Sequence, residues 1–402
     1  MEERITSTAP VAESPALPPD LWVAWLRLSD FRNHARTSVT CTPGPIVLTG
    51  PNGAGKTNLL EALSFLVPGR GLRRARLGEV GRDSEGRGLG APWAVAAEVV
   101  TPDGRRRVGT GRDPAAEGRE RRVVRVDEAP ASGQQALGEI LAATWLTPPM
   151  DRLFVEAPAG RRRFLDRLVQ GLDPAHAGRS AAYAHALRER ARLLRQPGEA
   201  DPAWLEALER RLAGTGVAIA AARRDLVARL ARAGTEAGTA FPQATLALDG
   251  DVETWLERDS ALDVEERMQA ALATARDRDA ESGGAEVGPH RCDLRVRHRA
   301  RGVPAAQCST GEQKALLIAL VLAHARLLSA ERGFAPLVLL DEVAAHLDAE
   351  RRAALFAVLL DLGAQAWLTG TDPGLFGALR GRAQFLALDG AAEAGRLDVA
   401  AG

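Results

Sequence analysis

The sequence predicts an α/β protein with a mixed sheet around a glycine-rich loop and an inserted helical subdomain. Residues 46–63 pass from a short β-branched strand through that loop to a helix, and residues 337–340 are an apolar run that ends in two acids. Between them lies a long segment with helical periodicity. We therefore divide the 402 residues into a disordered tail (1–20), an N-terminal part of the α/β lobe (21–133), a helical insertion (134–284) and a C-terminal part of the lobe (285–402).

The N-terminal part is predicted to be rich in strands. Alternation of apolar and β-branched residues predicts strands at 21–28, 37–41, 46–49, 93–101, 105–108 and 123–126, with turns at 30–34 and 102–104 and a polar loop at 109–120. Residues 1–20 are rich in Pro, Ala, Glu and Ser and contain no apolar run, which excludes a signal peptide or membrane anchor there.

The pattern of apolar residues predicts helices in the insertion and both strands and helices in the C-terminal part. Leucines at helical spacing predict helices around 187–194 and 205–212, separated by Pro197-Gly198 and Asp201-Pro202, and a further helix at 218–231. These helices are too short and broken for a long coiled-coil arm. The C-terminal part is predicted to contain strands at 294–298, 337–340, 366–369 and 384–388 and helices at 311–329 and 353–360.

The glycine-rich loop matches the phosphate-binding pattern G-x-x-x-x-G-K-[ST] at every fixed position. It consists of Gly50, Pro51, Asn52, Gly53, Ala54, Gly55, Lys56 and Thr57. Backbone N–H groups of such a loop surround phosphate oxygens, and the following helix adds a partial positive charge. We expect this loop to bind ATP, with Lys56 as a catalytic group at the β- and γ-phosphates and Thr57 as a ligand of Mg²⁺. Only two of the 52 basic residues are lysines, Lys56 and Lys314.

A second half of the site is predicted where residues 337–340 end in Asp341 and Glu342. Ligands of open α/β sheets bind at the carboxyl ends of the strands. Asp341 is therefore expected to hold Mg²⁺, and Glu342 to act as the general base toward the attacking water. A helix N-cap after a core strand is the simpler alternative for this pair of acids taken alone.

Residues 309–313, Ser-Thr-Gly-Glu-Gln, open the long predicted helix, and a capping box explains them locally. They also resemble the signature motif of ABC-type ATPases, in which Ser and Gly at a helix N-terminus bind the γ-phosphate held by the partner subunit. The resemblance implies ATP-binding roles for Ser309 and Gly311, and one for Asp348 in a segment similar to the D-loop. The switch position, for which Thr371 is one candidate, and the Q-loop glutamine stay open.

Four further segments resemble the RecF family of the ABC/SMC/Rad50 class. They are residues 30–34 (DFRNH), 145–148 (WLTP), 160–166 (GRRRFLD) and 288–294 (GPHRCDL), the last with Cys292 where the family pattern usually has an acid. Together with the loop and the acidic strand, the resemblance extends over about residues 22–388. It implies an ABC-type ATPase head with an inserted helical subdomain.

The resemblance also implies a function in recombinational DNA repair, replication-fork maintenance and the SOS response to DNA damage. Family members form ATP-dependent homodimers on double-stranded or gapped DNA, hydrolyse ATP weakly as a switch, and work with RecR and RecO to load RecA. Two alternatives stay open, namely a transporter subunit of the ABC class and an SMC-like scaffold with negligible turnover. The scaffold would not need the general base Glu342.

Composition limits how this chain could contact DNA. The formal net charge is zero, so contact with DNA depends on local basic clusters. We predict DNA binding at Arg70, Arg73, Arg74 and Arg76; residues 105–107 and 119–125 are further basic clusters. The clusters have no aromatic residues between them, which favours contacts to a duplex backbone over base stacking. Three widely spaced cysteines without zinc-ligand spacing suit a reducing, cytoplasmic location without membrane partners.

Overall fold

The computed structural model describes residues 20–82, 91–112, 122–195, 201–233, 240–388 and 395–396. The predicted tail, except Asp20, the breaker Pro197-Gly198, most of the predicted loop at 109–120 and part of the basic cluster at 119–125 lie outside these ranges.

The described chain alternates strands and helices. The strands are β1 (Trp22–Phe31), β2 (His34–Thr40), β3 (Ile46–Thr49), β4 (Ala94–Thr101), β5 (Gly104–Arg112), β6 (Arg122–Val126), β7 (Ala129–Pro130), β8 (Ala143–Leu146), β9 (Ala244–Asp249), β10 (Asp293–His298), β11 (Leu337–Leu340), β12 (Ala366–Gly370), β13 (Gln384–Ala387) and β14 (Gly395–Arg396). The α-helices are α1 (Lys56–Ser64), α2 (Leu77–Val80), α3 (Gln135–Ile140), α4 (Pro158–Leu172), α5 (His176–Leu194), α6 (Pro202–Ala233), α7 (Asp251–Trp255), α8 (Ala261–Thr274), α9 (Arg276–Ser282), α10 (Thr310–Arg332) and α11 (Ala349–Asp361). Short 3₁₀ helices occupy Pro148–Arg152, Ala305–Gln307, Ala344–His346 and Pro373–Leu379.

A five-stranded parallel sheet in the order β13-β3-β12-β11-β8 forms the centre of the ATPase lobe. Its short strands are buried on both faces, and alternate side chains serve two different cores. In β3, Ile46 and Leu48 pack toward the antiparallel sheet, whereas Val47 packs toward α4, α6, α10 and α11. Burial on both faces explains why these strands are continuous apolar runs in the sequence.

A seven-stranded, mostly antiparallel sheet in the order β14-β2-β1-β4-β5-β6-β7 covers one side of this core. The amide of Gln365 ties the two sheets together: its Oε1 accepts a hydrogen bond from the Val23 N–H at 2.9 Å, and its Nε2 donates to Thr42 O at 3.1 Å. Gln365 is fully buried, so these bonds satisfy a polar group that would otherwise be costly in the core. The predicted α/β class is confirmed, with the strands divided between a parallel sheet and a mostly antiparallel sheet.

The segment predicted as a helical insertion also contributes strands. β8 pairs in parallel with β11 as the edge strand of the central sheet, and β9 pairs with β10. A four-residue apolar run such as β8 has no periodicity that separates it from a buried helix, which explains the wrong helical prediction at this point. The polar loop predicted from residue 109 is also wrong for residues 109–112, which continue β5.

The rest of the insertion is helical, and α6 is one helix of 32 residues rather than the two that were predicted. Gly216, which lies between the two predicted helices, packs closely: a Cβ there would lie 2.9 Å from the Met268 side chain and 3.1 Å from Tyr183. These residues and Val217 belong to a separate small core formed by α5, α6 and α8.

Among the described residues, α10 is the one helix that could cross a membrane by length and composition. Its most apolar window is 67% buried inside the fold. The apolar composition of α10 therefore reflects its central position in the larger core.

Charged side chains are also buried between the helices of the insertion. Arg190 on α5 donates to Glu209 at 3.1 Å, to Asp279 at 2.6 Å and to the carbonyl of Leu272 at 2.6 Å. The three charged side chains are at most 1% exposed. Arg190 thus connects α5, α6, α8 and α9 through one guanidinium group.

Replacing Arg190 by Ala is expected to lower the free energy of unfolding by about 3 kcal/mol or more, because two buried carboxylates lose a partner. Arg192→Ala, two residues along the same helix, removes an ion pair whose arginine side chain is 59% exposed and should cost less than about 1 kcal/mol. Urea unfolding followed by circular dichroism compares the two variants. Equal losses would contradict a structural role of the buried network.

Candidate active site

The phosphate loop connects β3 to α1 and has the conformation that its glycines permit. Gly50 and Gly55 have φ angles of 142° and 96°. A Cβ on Gly50 would lie 2.2 Å from Leu388 O, and one on Gly55 would lie 2.7 Å from the His34 ring. Larger residues at either position would therefore be strained and would collide with neighbours.

Lys56 is held within the loop that it is predicted to serve. Its ammonium group donates to the carbonyls of Gly50 at 2.8 Å and Pro51 at 2.9 Å, and the residue is only 5% exposed. Pro51, Asn52 and Gly53 form the exposed crest of the loop, while Ala54 and Gly55 are buried beneath it. The lysine is thus positioned at the place where phosphate oxygens would replace its two carbonyl partners.

The DFRNH segment supports the phosphate loop from behind. Asn33 Oδ1 accepts a 2.6 Å hydrogen bond from Asn58 Nδ2, and His34 Nε2 lies 3.3 Å from the Gly55 carbonyl. Burial lowers the pKa of His34, so the ring is neutral and can donate from Nε2 to that carbonyl. The sequence marked this segment only by its resemblance, and the structure gives it a physical role.

Two arginines neutralise Glu61, a fully buried residue of α1. Arg32 forms hydrogen bonds of 2.7 and 2.8 Å with its carboxylate, and Arg73 approaches the same group at 2.6 Å. Arg73 also donates to Asn58 at 2.6 Å. Arg73, one of the predicted DNA-binding residues, is therefore engaged in supporting α1.

The second half of the site meets the first where β11 ends. Asp341 Oδ1 accepts 2.8 Å hydrogen bonds from the hydroxyls of both Thr57 and Thr369, and Thr369 in turn accepts a 2.9 Å bond from the backbone N–H of Glu342. Thr57 and Asp341 are 284 positions apart in the sequence. The structure therefore brings together the two residues that were predicted to hold the same metal ion.

Glu342 has a backbone φ of 53°, in the left-handed region that non-glycine residues rarely adopt. Such a conformation costs on the order of 1 kcal/mol or more and persists only where the surroundings impose it. The bond from its N–H to Thr369 is one such constraint. The side chain is partly exposed beside buried Asp341, which suits a group that must reach a water molecule.

These residues fit the ATP and Mg²⁺ that the sequence predicts. Gly50, Gly53 and Gly55 allow the loop its positive φ angles, Lys56 offers an ammonium group, and Thr57 and Asp341 offer adjacent hard oxygen ligands of the kind Mg²⁺ takes. Among the described residues, no cluster of three or more His, Cys, Asp or Glu side chains is arranged as a metal site, so the threonine hydroxyl is an important part of this donor set.

Ser309 caps the exposed N-terminus of α10 in the predicted capping box. The backbone N–H of Ser309 donates to Glu312 Oε2 at 2.9 Å, and Ser309 Oγ accepts from the Glu312 N–H at 3.4 Å. Hydrogen bonds from Ser309 and then from Arg301 lower the pKa of Glu312 to about 2. A Cβ on Gly311 would meet open space. The helix end therefore faces outward, and its capping role leaves room for a further ligand.

The N-terminus of α10 lies near the edge strand β8 of the central sheet, at the opposite edge from the phosphate loop. Lys314 Nζ is 3.1 Å from Asp151, which follows β8, and the His324 ring contacts Thr144 within β8. β8 is three strands away from β3, a separation of about 14 Å. Ser309 is therefore not placed beside Lys56 of the same chain.

Other predicted positions take local structural roles. Asp348 is exposed and caps α11 by accepting a 2.8 Å hydrogen bond from the Arg351 N–H. Gln134, which the sequence did not support as the Q-loop residue, accepts a 2.9 Å hydrogen bond from the Gly69 N–H and so supports the loop after α1. Thr369, rather than Thr371, contacts the acidic pair.

Sequence reasoning missed the contacts of Thr369 and the ion pair between Lys314 and Asp151. Two sequence features could have indicated these contacts: Thr369 is a hydroxyl residue at the end of an apolar strand, and Lys314 is one of only two lysines in the chain.

The GRRRFLD and GPHRCDL segments meet in the structure. Arg161 forms a two-pronged pair with Asp293 at 2.7 and 3.0 Å, and Arg162 donates to the carbonyl of Cys292 at 2.7 Å. Cys292 is fully buried, and burial raises the pKa of its thiol. The position that usually carries an acid thus holds a small buried thiol, and the acid beside it, Asp293, supplies the ion pair.

A phosphate loop after β3 and an acidic pair after β11 of one parallel sheet define an ATPase head of the ABC type. A family model described as RecF/RecN/SMC N terminal domain matches residues 22–376. The DNA replication and repair protein RecF of Mesorhizobium japonicum is 50% identical over 93% of this chain and 97% of that protein, and that of Rhizobium meliloti is 48% identical over 92% and 98%. The chain therefore belongs to the RecF family of DNA replication and repair proteins.

Solved structures agree with this family in fold. The structure of the recombination mediator protein RecF-ATP in the RecFOR pathway superposes with a TM-score of 0.76 over 92% of this chain and 98% of that chain, at 21% identity. The resemblance to RecF and the prediction of an ABC-type ATPase head are both confirmed.

Proposed function

We propose that this protein is an ATP-dependent DNA-binding ATPase that forms a homodimer on gapped or double-stranded DNA. The observation that carries the proposal is the hydrogen-bonded group of Thr57, Asp341, Thr369 and Glu342 beside the phosphate loop. The ATP of the related RecF structure supports ATP as the ligand of this group.

Each side chain has a definite task in this proposal. Lys56 exchanges its bonds to two loop carbonyls for bonds to phosphate oxygens. Thr57 and Asp341 would hold Mg²⁺, which neutralises phosphate charge when bound. Glu342 accepts the proton of the attacking water, and Thr369 fixes the backbone position from which Glu342 acts.

A dimer completes the site. Ser309 and Gly311 form an exposed, positively polarised helix end that lies three strands from its own phosphate loop. In a head-to-tail pair, this end of one chain faces the nucleotide of the other, and the exposed Asp348 lies in the segment similar to the D-loop. Slow hydrolysis then acts as a switch that opens the pair.

DNA contact in this proposal begins at the loop after α1. Arg70, Arg74 and Arg76 are exposed, whereas Arg73 is engaged with Glu61. Within the described residues, the guanidinium groups of Arg70 and Arg74 have no hydrogen-bond or ion-pair partner, so both are available to phosphates. On the basis of family membership we also propose recombinational repair with RecR and RecO, loading of RecA and a cytoplasmic location.

A transporter subunit is not favoured, because the relatives at about half identity are DNA replication and repair proteins. A scaffold without turnover is not favoured either, because the chain retains an acid, Glu342, beside the metal-binding pair.

Light scattering tests the proposal directly. With ATP and Mg²⁺ the protein is expected to shift from monomer to dimer. In gel filtration, gapped duplex DNA should then co-elute with the dimer. ADP serves as the control nucleotide, because it lacks the γ-phosphate that Ser309 and Gly311 would bind. A protein that stays monomeric with saturating ATP and does not bind gapped duplex would contradict the proposed function.

A further inference from the structure

The two family segments that meet at Arg161 and Asp293 also enclose a cavity of about 210 Å³, here called the arginine cavity. Three helices and one loop contribute to its wall. The lining residues are Ala159, Arg162, Arg163 and Asp166 of α4, Ser180 and Tyr183 of α5, Ile219 and Arg223 of α6, and Pro289 and His290 of the GPHRCDL segment. None of them has a role in the ATP site.

The charge of the arginine cavity is unbalanced. Among the lining residues, three guanidinium groups face one carboxylate, Asp166, which accepts hydrogen bonds of 2.8 and 2.9 Å from Arg223 and one of 2.9 Å from His176. A second buried carboxylate, Glu253, is not among the lining residues and lies 3.7 Å from Arg223. Although burial disfavours the charge of Asp166, the bonds from His176 and Arg223 prevail and lower the pKa of Asp166 to about 2. Arg162 and Arg163 are left without a neutralising acid in the cavity.

Donor groups in the cavity lack acceptors. Within the described residues, Arg163 has no hydrogen-bond or ion-pair partner, and the buried Ser180 hydroxyl has no hydrogen-bond partner. Arg162 uses one amino group on the Cys292 carbonyl. Arg162 and Arg163 are therefore the donor groups that the cavity offers to a ligand with acceptor oxygens.

The positive charge of the cavity lies near that of Arg74 and Arg70, which belong to the loop after α1 in the ATPase lobe. Partial desolvation and then repulsion from Arg163 and Arg70 lower the pKa of Arg74, although the carboxylate of Asp166 acts in the opposite direction. The Arg74 backbone also has a φ of 57°, a conformation that costs energy for a residue with a side chain. Arg70, Arg74 and Arg163 are like charges that lie near one another, and such a group favours the binding of a polyanion.

We propose that the arginine cavity binds one backbone phosphate of a DNA duplex that runs from Arg70 and Arg74 to Arg163, with Arg162 and Arg163 as the donors to that phosphate. This inference rests on the DNA binding proposed above and adds the path that the duplex takes over the protein surface. Phosphate rather than base is the group bound, because the Tyr183 hydroxyl and both nitrogens of the His290 ring are already engaged, and the guanidinium groups of Arg162 and Arg163 are donors only.

Salt-dependent DNA titrations with ATP and Mg²⁺ test this route. Arg163→Ala should weaken duplex binding about tenfold or more and lower the log–log salt slope by about one, since one phosphate contact is lost. Arg211→Ala is the matched control. Like Arg163, Arg211 is exposed and has no side-chain partner among the described residues, but it lies on α6 and does not line the arginine cavity.

A second arm distinguishes DNA from free phosphate. In a Lys56→Ala background, which disables the phosphate loop, inorganic phosphate should raise the melting temperature, and Arg163→Ala should abolish that rise. If phosphate binds but the DNA salt slope of Arg163→Ala is unchanged, the cavity serves another phosphate source or an acidic partner and the proposed route is overturned. If the unchanged protein binds duplex and Arg163→Ala behaves like Arg211→Ala, this inference fails alone; if the unchanged protein binds no duplex, the proposed function fails with it.

Discussion

Replacing Glu342 by Gln is expected to lower ATP hydrolysis by about 10²- to 10⁴-fold while ATP binding is retained. The amide has the shape of the carboxylate but cannot accept the proton of the attacking water. The constraint on the backbone is preserved, because Thr369 bonds to the N–H of residue 342 and not to its side chain. Single-turnover hydrolysis and equilibrium nucleotide binding measure the two effects separately.

The same variant should accumulate as an ATP-bound dimer, because the step that opens the pair is blocked. Glu350→Gln is the matched control, since Glu350 is an exposed acid in the first turn of α11 and should tolerate the same change without effect. A Glu342→Gln protein that hydrolyses ATP at the normal rate would remove Glu342 from the role of general base. One that loses ATP binding would assign it a structural role instead.

The parts of the site that are continuous in sequence could be predicted from it. The phosphate loop combines a glycine pattern, a preceding strand and a following helix within about twenty residues, and each part has its own local physical signal. The acidic pair after β11 was predictable because a strand buried on both faces is a continuous apolar run. Both lie where they were expected.

Contacts between distant segments could not be predicted. The bond from Thr57 to Asp341 depends on the order of strands in the sheet, and the support of Gly55 by Asn33 and His34 depends on how a turn packs behind the loop. The order of strands also decides that β8 joins the sheet. Local periodicity carries no information about pairing between segments that are hundreds of residues apart.

The arginine cavity illustrates the same limit for function. The sequence marked GRRRFLD and GPHRCDL as family segments, but a run of arginines is usually a solvated surface. Only the fold shows that Arg161 pairs with Asp293, that Arg162 uses one amino group on the Cys292 carbonyl, and that both Arg162 and Arg163 line the cavity.

Mixing a Lys56→Ala protein with a Ser309→Arg protein is expected to restore ATP hydrolysis that neither variant has alone. In a symmetric head-to-tail dimer each site takes its phosphate loop from one chain and its signature helix from the other. The heterodimer therefore contains one intact site and one site with both changes. At equal concentrations half of the dimers are mixed, so about a quarter of the normal activity should return.

Loss of the helix cap is a separate consequence of changing Ser309, and it must be distinguished from loss of a phosphate contact. Ser260 caps α8 in the same way, accepting a hydrogen bond from the Asp263 N–H at 3.3 Å. Ser260→Arg should therefore cost about 1 kcal/mol of stability, as Ser309→Arg does, but should leave hydrolysis unchanged. Differently tagged chains show whether heterodimers form. If they form with ATP and the mixture hydrolyses no more than the separate variants, each chain must build its site alone, and the 14 Å between β3 and β8 would have to be bridged by a movement within one chain.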